Sequence, residues 1–573
     1  MPLTDAYEWA KTNMPQDIMR NEPFSDYQYN YINDINSGIY SNQSLSLIQF
    51  DLSSLYNSSR WTMTNSHFAV IPIVRCAQAF NSNGSVPLTN NNYYLTSLKN
   101  LNTCLVHQVD LLINGKTVHQ LQPYTNIFTG IKLASELSKD DLALMGATLG
   151  MLEMDNPNSM VFEGLPSFSA TSKSRPGISN NYVNGTPYVN IPDSITPQNT
   201  GSANGAIQQK LPLNKCVAGS YNNLQSVVGS TQMNFEFQPT YEVIGDVAVW
   251  KDYVVIFMKD LLPAMGAMGA VRRLDGILRV YLNTGFTKVT YGANARLEFV
   301  NADSTFTDTC PILVNNNGAL PIPTVAPATP VDSLNVGCFI ATAPNSTFNG
   351  SNWANIASSM RACRYYYNQI IIQPSLALDY ISSNSAKTVL YDGLLYNTFT
   401  RIPTGGNFSQ LIQSGVTNIK TVMVIPLISQ ANLISTGPDV PQGFSAFKSP
   451  FDPVGGVAGH PISLNNFQVN IGGTNQLATS LMFTYENFIE QLAKFNKQST
   501  SEYGVESGLW SPEFWANNRV YLVNCRGTED DFNTPRNITI SFLNNSLVTI
   551  DILVFVQYED KLVINVSTGI ITK

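Results

Sequence analysis

The hydrophobic and polar positions of this chain repeat one short pattern twice. Residues Val109 to Leu133 read VDLLINGKTVHQLQPYTNIFTGIKL, and residues Phe467 to Leu492 read FQVNIGGTNQLATSLMFTYENFIEQL. With Ile113-Asn114-Gly115 placed over Ile471-Gly472-Gly473, each copy is an alternating strand, a two-residue turn, a short returning strand and a helix. Asn-Gly and Gly-Gly predict a type I′ turn, because both central residues of that turn need φ > 0. A two-residue insertion then brings Asn126 and Phe128 beside Glu486 and Phe488. The agreement lies in residue class and element order, and it predicts two copies of one β domain.

The remaining elements fall on either side of these hairpins. The first 27 residues, punctuated by Pro, Asp and Asn, read as an N-terminal arm with a short helix at Asp5 to Lys11. Period-2 alternation predicts strands at Ser44–Leu52, Phe68–Val74 and Leu105–Ile113, and helical spacing runs from Thr125 to Leu149. Residues 151–232 are rich in Asn, Ser, Gly and Pro and read as a surface insertion. Strands resume at Met233–Phe237, Tyr253–Met258 and Leu278–Leu282, with PAMGAMGAV as a small-residue turn between the last two. The first domain so read spans 28–306. Residues 307–358 read as a linker around NNNGALPIPTVAPATP, where Pro removes the donors a ladder needs. The second domain spans 359–573, with strands at Asn368–Ile372, Ser375–Tyr380, Lys387–Leu395 and Ile419–Ile428 before its hairpin. Arg519–Asn524, Asn537–Phe542, Thr549–Tyr558 and Lys561–Val566 follow it. The fold class predicted is all-β, two sandwiches or jelly rolls with short flanking helices and long insertions.

Composition narrows the function. Only 13% of the 573 residues are charged, about half the usual share of roughly 25%. Such a surface suits close packing against copies of itself, since interface cores are depleted in charge. The net charge is -8 and the sequence pI about 5.1, with no run of Lys or Arg, so the basic footprint of direct nucleic-acid binding is missing. The seven cysteines (Cys76, Cys104, Cys216, Cys310, Cys338, Cys363, Cys525) are odd in number and never spaced C-x-x-C; they read as buried free thiols in a reducing compartment. The N-terminal residues lack the apolar core of a signal peptide, and no apolar run reaches the roughly 20 residues of a membrane span. Sequons such as Asn57, Asn83 and Asn407 then follow from the Asn-rich composition.

The search for chemistry yields no catalytic, cofactor or metal residues. His67, His107, His119 and His460 are the only histidines. His107 and His119 fall in adjacent strands, but no carboxylate or Cys is spaced to complete a site. Glu529-Asp530-Asp531 reads as a solvated turn, with a loop cation site the weaker reading. Gly405-Gly406 and Gly455-Gly456 lack the following Lys and the strand-to-helix context of a phosphate loop and read as turns.

Longer stretches carry a resemblance. RACRYYYNQIIIQPSLALDYIS from Arg361, KTVLYDGLLYNTF from Lys387, SPFDP at Ser449–Pro453, PISLNNFQVNIGG, FTYENFIEQL and IDILVFVQYEDKLVINVSTGI succeed one another in the second half. GIYSNQSLSLIQFDLSSLYN from Gly38, VVIFMKDLLPAMGAMGAVRRLDGILRVYLNTG and TCPILV lie in the first. In order and residue class these pieces resemble the double-jelly-roll major capsid proteins of Polinton-like viruses and virophages, over most of the chain outside 151–232 and 316–357. The resemblance implies two eight-stranded jelly rolls side by side. It also implies a homotrimer that makes a pseudo-hexagonal capsomer, with neighbouring capsomers, penton and minor or cement proteins as partners in an icosahedral shell. The insertions then face outward and the arm inward, and the helix after each hairpin flanks the contact between lobes. Alternative readings are a jelly-roll lectin or fibre using NYVNGTPYVN to hold glycans, a minor vertex protein of the same particle, and a sandwich glycoside hydrolase with two convergent carboxylates.

Overall fold

In the computed structural model, the strands assemble into two sandwiches that share one pairing order. The structure describes chiefly residues 24–36, 45–55, 59–81, 102–121, 125–138, 241–244, 247–291, 333–340, 362–428, 462–477, 483–496, 519–525, 534–546 and 549–572, with shorter pieces between them. The arm to residue 23, nearly all of the 151–232 insertion, the Pro-rich run at 317–332, Gly455-Gly456, His460 and Glu529–Asp531 lie outside the described residues.

Eight strands form the first sandwich: β1 (Phe24–Asn33), β2 (Leu45–Asp51), β3 (Phe68–Asn81), β4 (Val106–Ile113), β5 (Lys116–Leu121), β6 (Val247–Phe257), β7 (Gly276–Asn283) and β8 (Arg364–Ile372). One sheet runs β1-β8-β3-β6 and the other β2-β7-β4-β5. The second sandwich comprises β9 (Ala386–Ile402), β10 (Asn407–Val416), β11 (Ile419–Ile428), β12 (Leu464–Ile471), β13 (Thr474–Asn475), β14 (Tyr521–Asn524), β15 (Arg536–Asn544) and β16 (Ile550–Asn565). Its sheets run β9-β16-β11-β14 and β10-β15-β12-β13. Adding eight to each strand of the first sandwich reproduces the second, and every ladder is antiparallel. Each sandwich is a jelly roll.

The repeated hairpins are β4-β5 and β12-β13. Ile113 pairs with Lys116 and Ile471 with Thr474, which leaves two-residue loops. Asn114 and Gly115 have φ of 51° and 72°, and Gly472 and Gly473 have 57° and 90°, so all four occupy the left-handed region that the type I′ turn requires. Helix α1 (Thr125–Glu136) follows the first hairpin. Among the described residues, three further helices precede the second: α2 (Met258–Leu261), α3 (Pro263–Met268) and α4 (Pro374–Ser383). Helix α5 (Tyr485–Asn496) follows it.

Several elements depart from the sequence reading. Asn368–Ile372, expected to open the second domain, belongs to β8, and its ladders run to β1, β3 and Trp61–Met63 in the first sandwich. Ser375–Tyr380 is helix rather than strand: Pro374 occupies the first turn, and Leu376 and Tyr380, one turn apart, are the buried face. PAMGAMGAV contains α3, again opened by Pro, and Gly269 at φ 63° ends it. Within the expected linker, Ser333–Ile340 pairs with the distal half of β3 and Ile312–Asn316 with Tyr94–Leu98. Thr549–Tyr558 and Lys561–Val566 are one continuous strand, β16.

The sheet interiors are apolar and His67 lies within them. It is 0% exposed, with Nδ1 2.7 Å from the Tyr365 hydroxyl. Burial lowers its pKa from 6.5 to about 3. A folded pKa below the unfolded one contributes stability above pH 6.5 that is lost as pH falls toward 3. At pH 5 the loss is about 2 kcal/mol. Urea titrations at pH 7 and pH 5 should therefore show His67→Gln with a flatter pH dependence than the wild type. An unchanged slope would remove His67 from the acid response.

Candidate assembly interface

Among the described residues, the groups considered for a chemical site do not come together. His119 is paired with Leu111, four residues along β4 from His107, so the two histidines are not cross-strand neighbours. Gly405-Gly406 is a turn closed by the Gly406 N–H on the Pro403 carbonyl. Among the described residues no group of three His, Cys, Asp or Glu side chains is placed to hold a metal, and no helix is long and apolar enough to cross a membrane. Cys76, Cys338, Cys363 and Cys525 are buried thiols outside any disulfide, and burial pushes the Cys525 thiol up to about 12.

The most elaborated surface is the joint between the sandwiches. Across the β9-β16-β11-β14 sheet, Tyr396, Phe555, Met423 and Leu522 stand in one cross-strand row. The second sandwich's own α5 packs on β14, so the Phe555 end of this outward row is what the sandwich alone would leave open. Here Phe555, Met423 and Leu522 are 0% exposed. Phe128 of α1, from the other sandwich, packs on Phe555 at 5.7 Å and on Phe495 of α5 at 6.5 Å. The Trp510 indole donates to Ser135 Oγ of α1 at 3.2 Å. The helix after the first hairpin thus sits in the contact between lobes.

Polar groups close the rest of the joint. Lys387 Nζ donates to the Met268 carbonyl at the end of α3 (2.8 Å), and the Tyr391 hydroxyl lies 3.0 Å from the Val118 carbonyl. Lys420 Nζ bridges Asp392 and Glu559, at 2.7 Å from the latter, and Gln557 and Asn418 donate to the same two carboxylates. A narrow crevice beside them is lined by Phe128, Lys132, Asp260 and Asp392; burial raises the Asp260 carboxyl above the usual range. At the far end, Gly569 (φ 73°) faces the Arg272 carbonyl so closely that a Cβ would fall 2.1 Å from it. Most buried apolar side chains of both sandwiches and the joint belong to one continuous cluster, and a smaller one joins Trp61, Ile370 and Tyr380 to Val566. The halves are built as one body.

No family model and no curated protein matches the sequence. Among solved structures, the chain is similar to the Sputnik virophage structure determined by cryo-EM, at 10% identity over 96% of this chain and 88% of that one, with a TM-score of 0.47. It is similar to the mavirus major capsid protein at 9% identity over 95% and 89%, with a TM-score of 0.42. It is also similar to the Faustovirus major capsid protein at 11% identity over 96% and 93%, with a TM-score of 0.41.

Proposed function

We propose that this chain is a hexon-type major capsid protein with a structural rather than catalytic role. Its proposed assembly is a homotrimer, a pseudo-hexagonal capsomer of an icosahedral shell, built inside the host cell. The observation that carries this reading is the eight-strand repetition, with two jelly rolls of one pairing order fused side by side through a dry joint. A tile of hexagonal outline needs six similar lobes, and three chains supply them under closed threefold symmetry. We place the boundary between rolls at Gln373, between β8 and α4, with residues 1–23 as an arm on the shell's inner side and 151–232 as an outward loop. Neighbouring capsomers, penton and minor or cement proteins are the expected partners. With net charge -8, direct nucleic-acid binding is not expected of it.

The test is the solution mass by light scattering, with negative-stain images of the same peak. Three copies of 63.0 kDa make 189 kDa. A species of that mass with a hexagonal outline is the expected result, and a 63.0 kDa chain that stays monomeric at every concentration and turns over or binds a glycan overturns the reading.

A further inference from the structure

Lys420, Asp392 and Glu559 meet in an arrangement that an ion cluster alone does not require. Lys420 sits at a bulge in β11: Ile419 pairs with Tyr558 and Thr421 with Gln557, so Lys420 has no register partner on β16. A bulge of this kind re-aims a side chain. Here it brings the ammonium to Asp392 on β9 and Glu559 on β16, which are themselves register partners. Each carboxylate gives one oxygen to Lys420 and the other to a neutral donor. Asp392 offers Oδ1 to Nζ, and its Oδ2 accepts from Gln557 Nε2 at 3.0 Å. Glu559 Oε1 lies 2.7 Å from Nζ, and its Oε2 accepts from Asn418 Nδ2 at 2.8 Å. The Lys420, Asp392 and Glu559 side chains are only 10%, 23% and 18% exposed. The crevice lined by Phe128, Thr129, Asp392 and Gln557 opens beside them.

We propose that Lys420 and Asp392 condense into an intramolecular isopeptide bond, with Glu559 as the catalytic acid and base. An ammonium in contact with a carboxylate already holds Nζ within near-attack reach of Cγ. Proton transfer from Nζ to Asp392 Oδ1 gives a neutral amine and a neutral acid. Nζ then attacks Cγ while Glu559 takes a second proton from the nitrogen. Glu559 passes that proton to the departing Oδ1. The Nζ–Cγ bond forms, the Cγ–Oδ1 bond breaks, and one water leaves into the crevice. The net charge is unchanged, and no oxidant or cofactor is consumed. Gln557 donates to Oδ2 as it becomes first an oxyanion and then the amide oxygen. In the product the amide N–H donates to Glu559, which keeps Asn418, so every polar group has its partner in place. Bulk water opposes amide formation, but groups held in this way react with effective molarities of up to about 10⁵–10⁸ M. The bond ties β9 to β11 across the intervening β16, in the sheet that receives α1. It is a staple that a reducing compartment leaves closed, where a disulfide would open. Freshly folded chain holds the ion cluster, and aged chain holds the bond, whatever its oligomeric state.

The test is the intact mass of the full chain, followed from refolding over several days, with tryptic peptide mapping of the aged protein. Wild type should lose the mass of one water and yield a branched peptide that joins Lys420 to Asp392. Lys420→Arg should keep its full sequence mass. Glu559→Gln should form the bond about a hundredfold more slowly or not at all. Folded wild type that keeps its full sequence mass overturns the proposal, whatever the variants do. A lost water that persists in Lys420→Arg, or that hydroxylamine reverses, marks a cyclic imide at Asp392-Gly393 and overturns it too. A branch at Lys132, the other lysine beside the crevice, would overturn the role of Lys420. Glu559→Gln condensing at the wild-type rate would overturn Glu559 as the catalytic residue.

Discussion

Phe555→Ala should destabilise the monomer by about 3–5 kcal/mol, the range for truncating a buried Phe in a core that cannot collapse around the gap. Phe555 is 0% exposed and is walled in from both sides of the joint. Tyr396 lies 5.3 Å away in its own sheet, and Phe128 lies 5.7 Å away from the first roll. The loss therefore falls on both the second roll and its attachment to the first. Urea unfolding followed by tryptophan fluorescence would report it, since Trp510 bonds α1 across the same joint. The informative control is Tyr366→Ala, at the same row position in the first roll. Tyr366 is only half-buried there, so its truncation should cost the monomer about 1 kcal/mol. Equal losses at the two positions would mean that α1 does not seal the second roll's sheet.

That comparison depends on features of unequal visibility in the sequence. The hairpins were legible because turn chemistry is local: Asn114-Gly115 and Gly472-Gly473 announce their own φ values. The long strands β11 and β16 were legible because they bury both faces and read as continuous β-branched and aromatic runs. β1 escapes a sequence reading because FSDYQYNYIN places Tyr27, Tyr29 and Tyr31 on the face that stays exposed and carries Gln28 and Asn30 between them. α4 reads as strand because SLALDYIS is short and apolar, and Pro374 is the one cue to its helical start. β8 reads as part of the second half because its neighbours in sequence are not its neighbours in the sheet. The chain makes β8 last in the first roll, after the strand at 333–340. The partnership of Phe128 with Phe555 could not be read at all. It joins residues that neither periodicity nor spacing relates, and only the joint brings them together.

The same non-local joint contains the second large expected effect. Lys420→Met should cost about 3–5 kcal/mol, because removing one partner of a buried ion pair strands the charges left behind. Lys420 holds two carboxylates at once, Asp392 on β9 and Glu559 on β16, and its side chain is only 10% exposed. Asp392 and Glu559 are register partners on neighbouring strands, so without the ammonium two like charges face each other across one ladder step. Gln557 donates to Asp392 and Asn418 to Glu559, and these neutral donors cannot balance the charge. Apolar or neutral replacements of similar shape often match buried ion pairs in stability. The triple variant Lys420→Met/Asp392→Asn/Glu559→Gln should therefore recover most of the loss. Urea denaturation of the single and triple variants reads both numbers, and their difference is a coupling energy of the kind expected for residues in one network. If Lys420→Met alone costs under about 1 kcal/mol, the cluster behaves as a solvated surface pair. The strands β9, β16 and β11 of the second roll would then be held together at this step by their ladders and packing, without electrostatic help from Lys420.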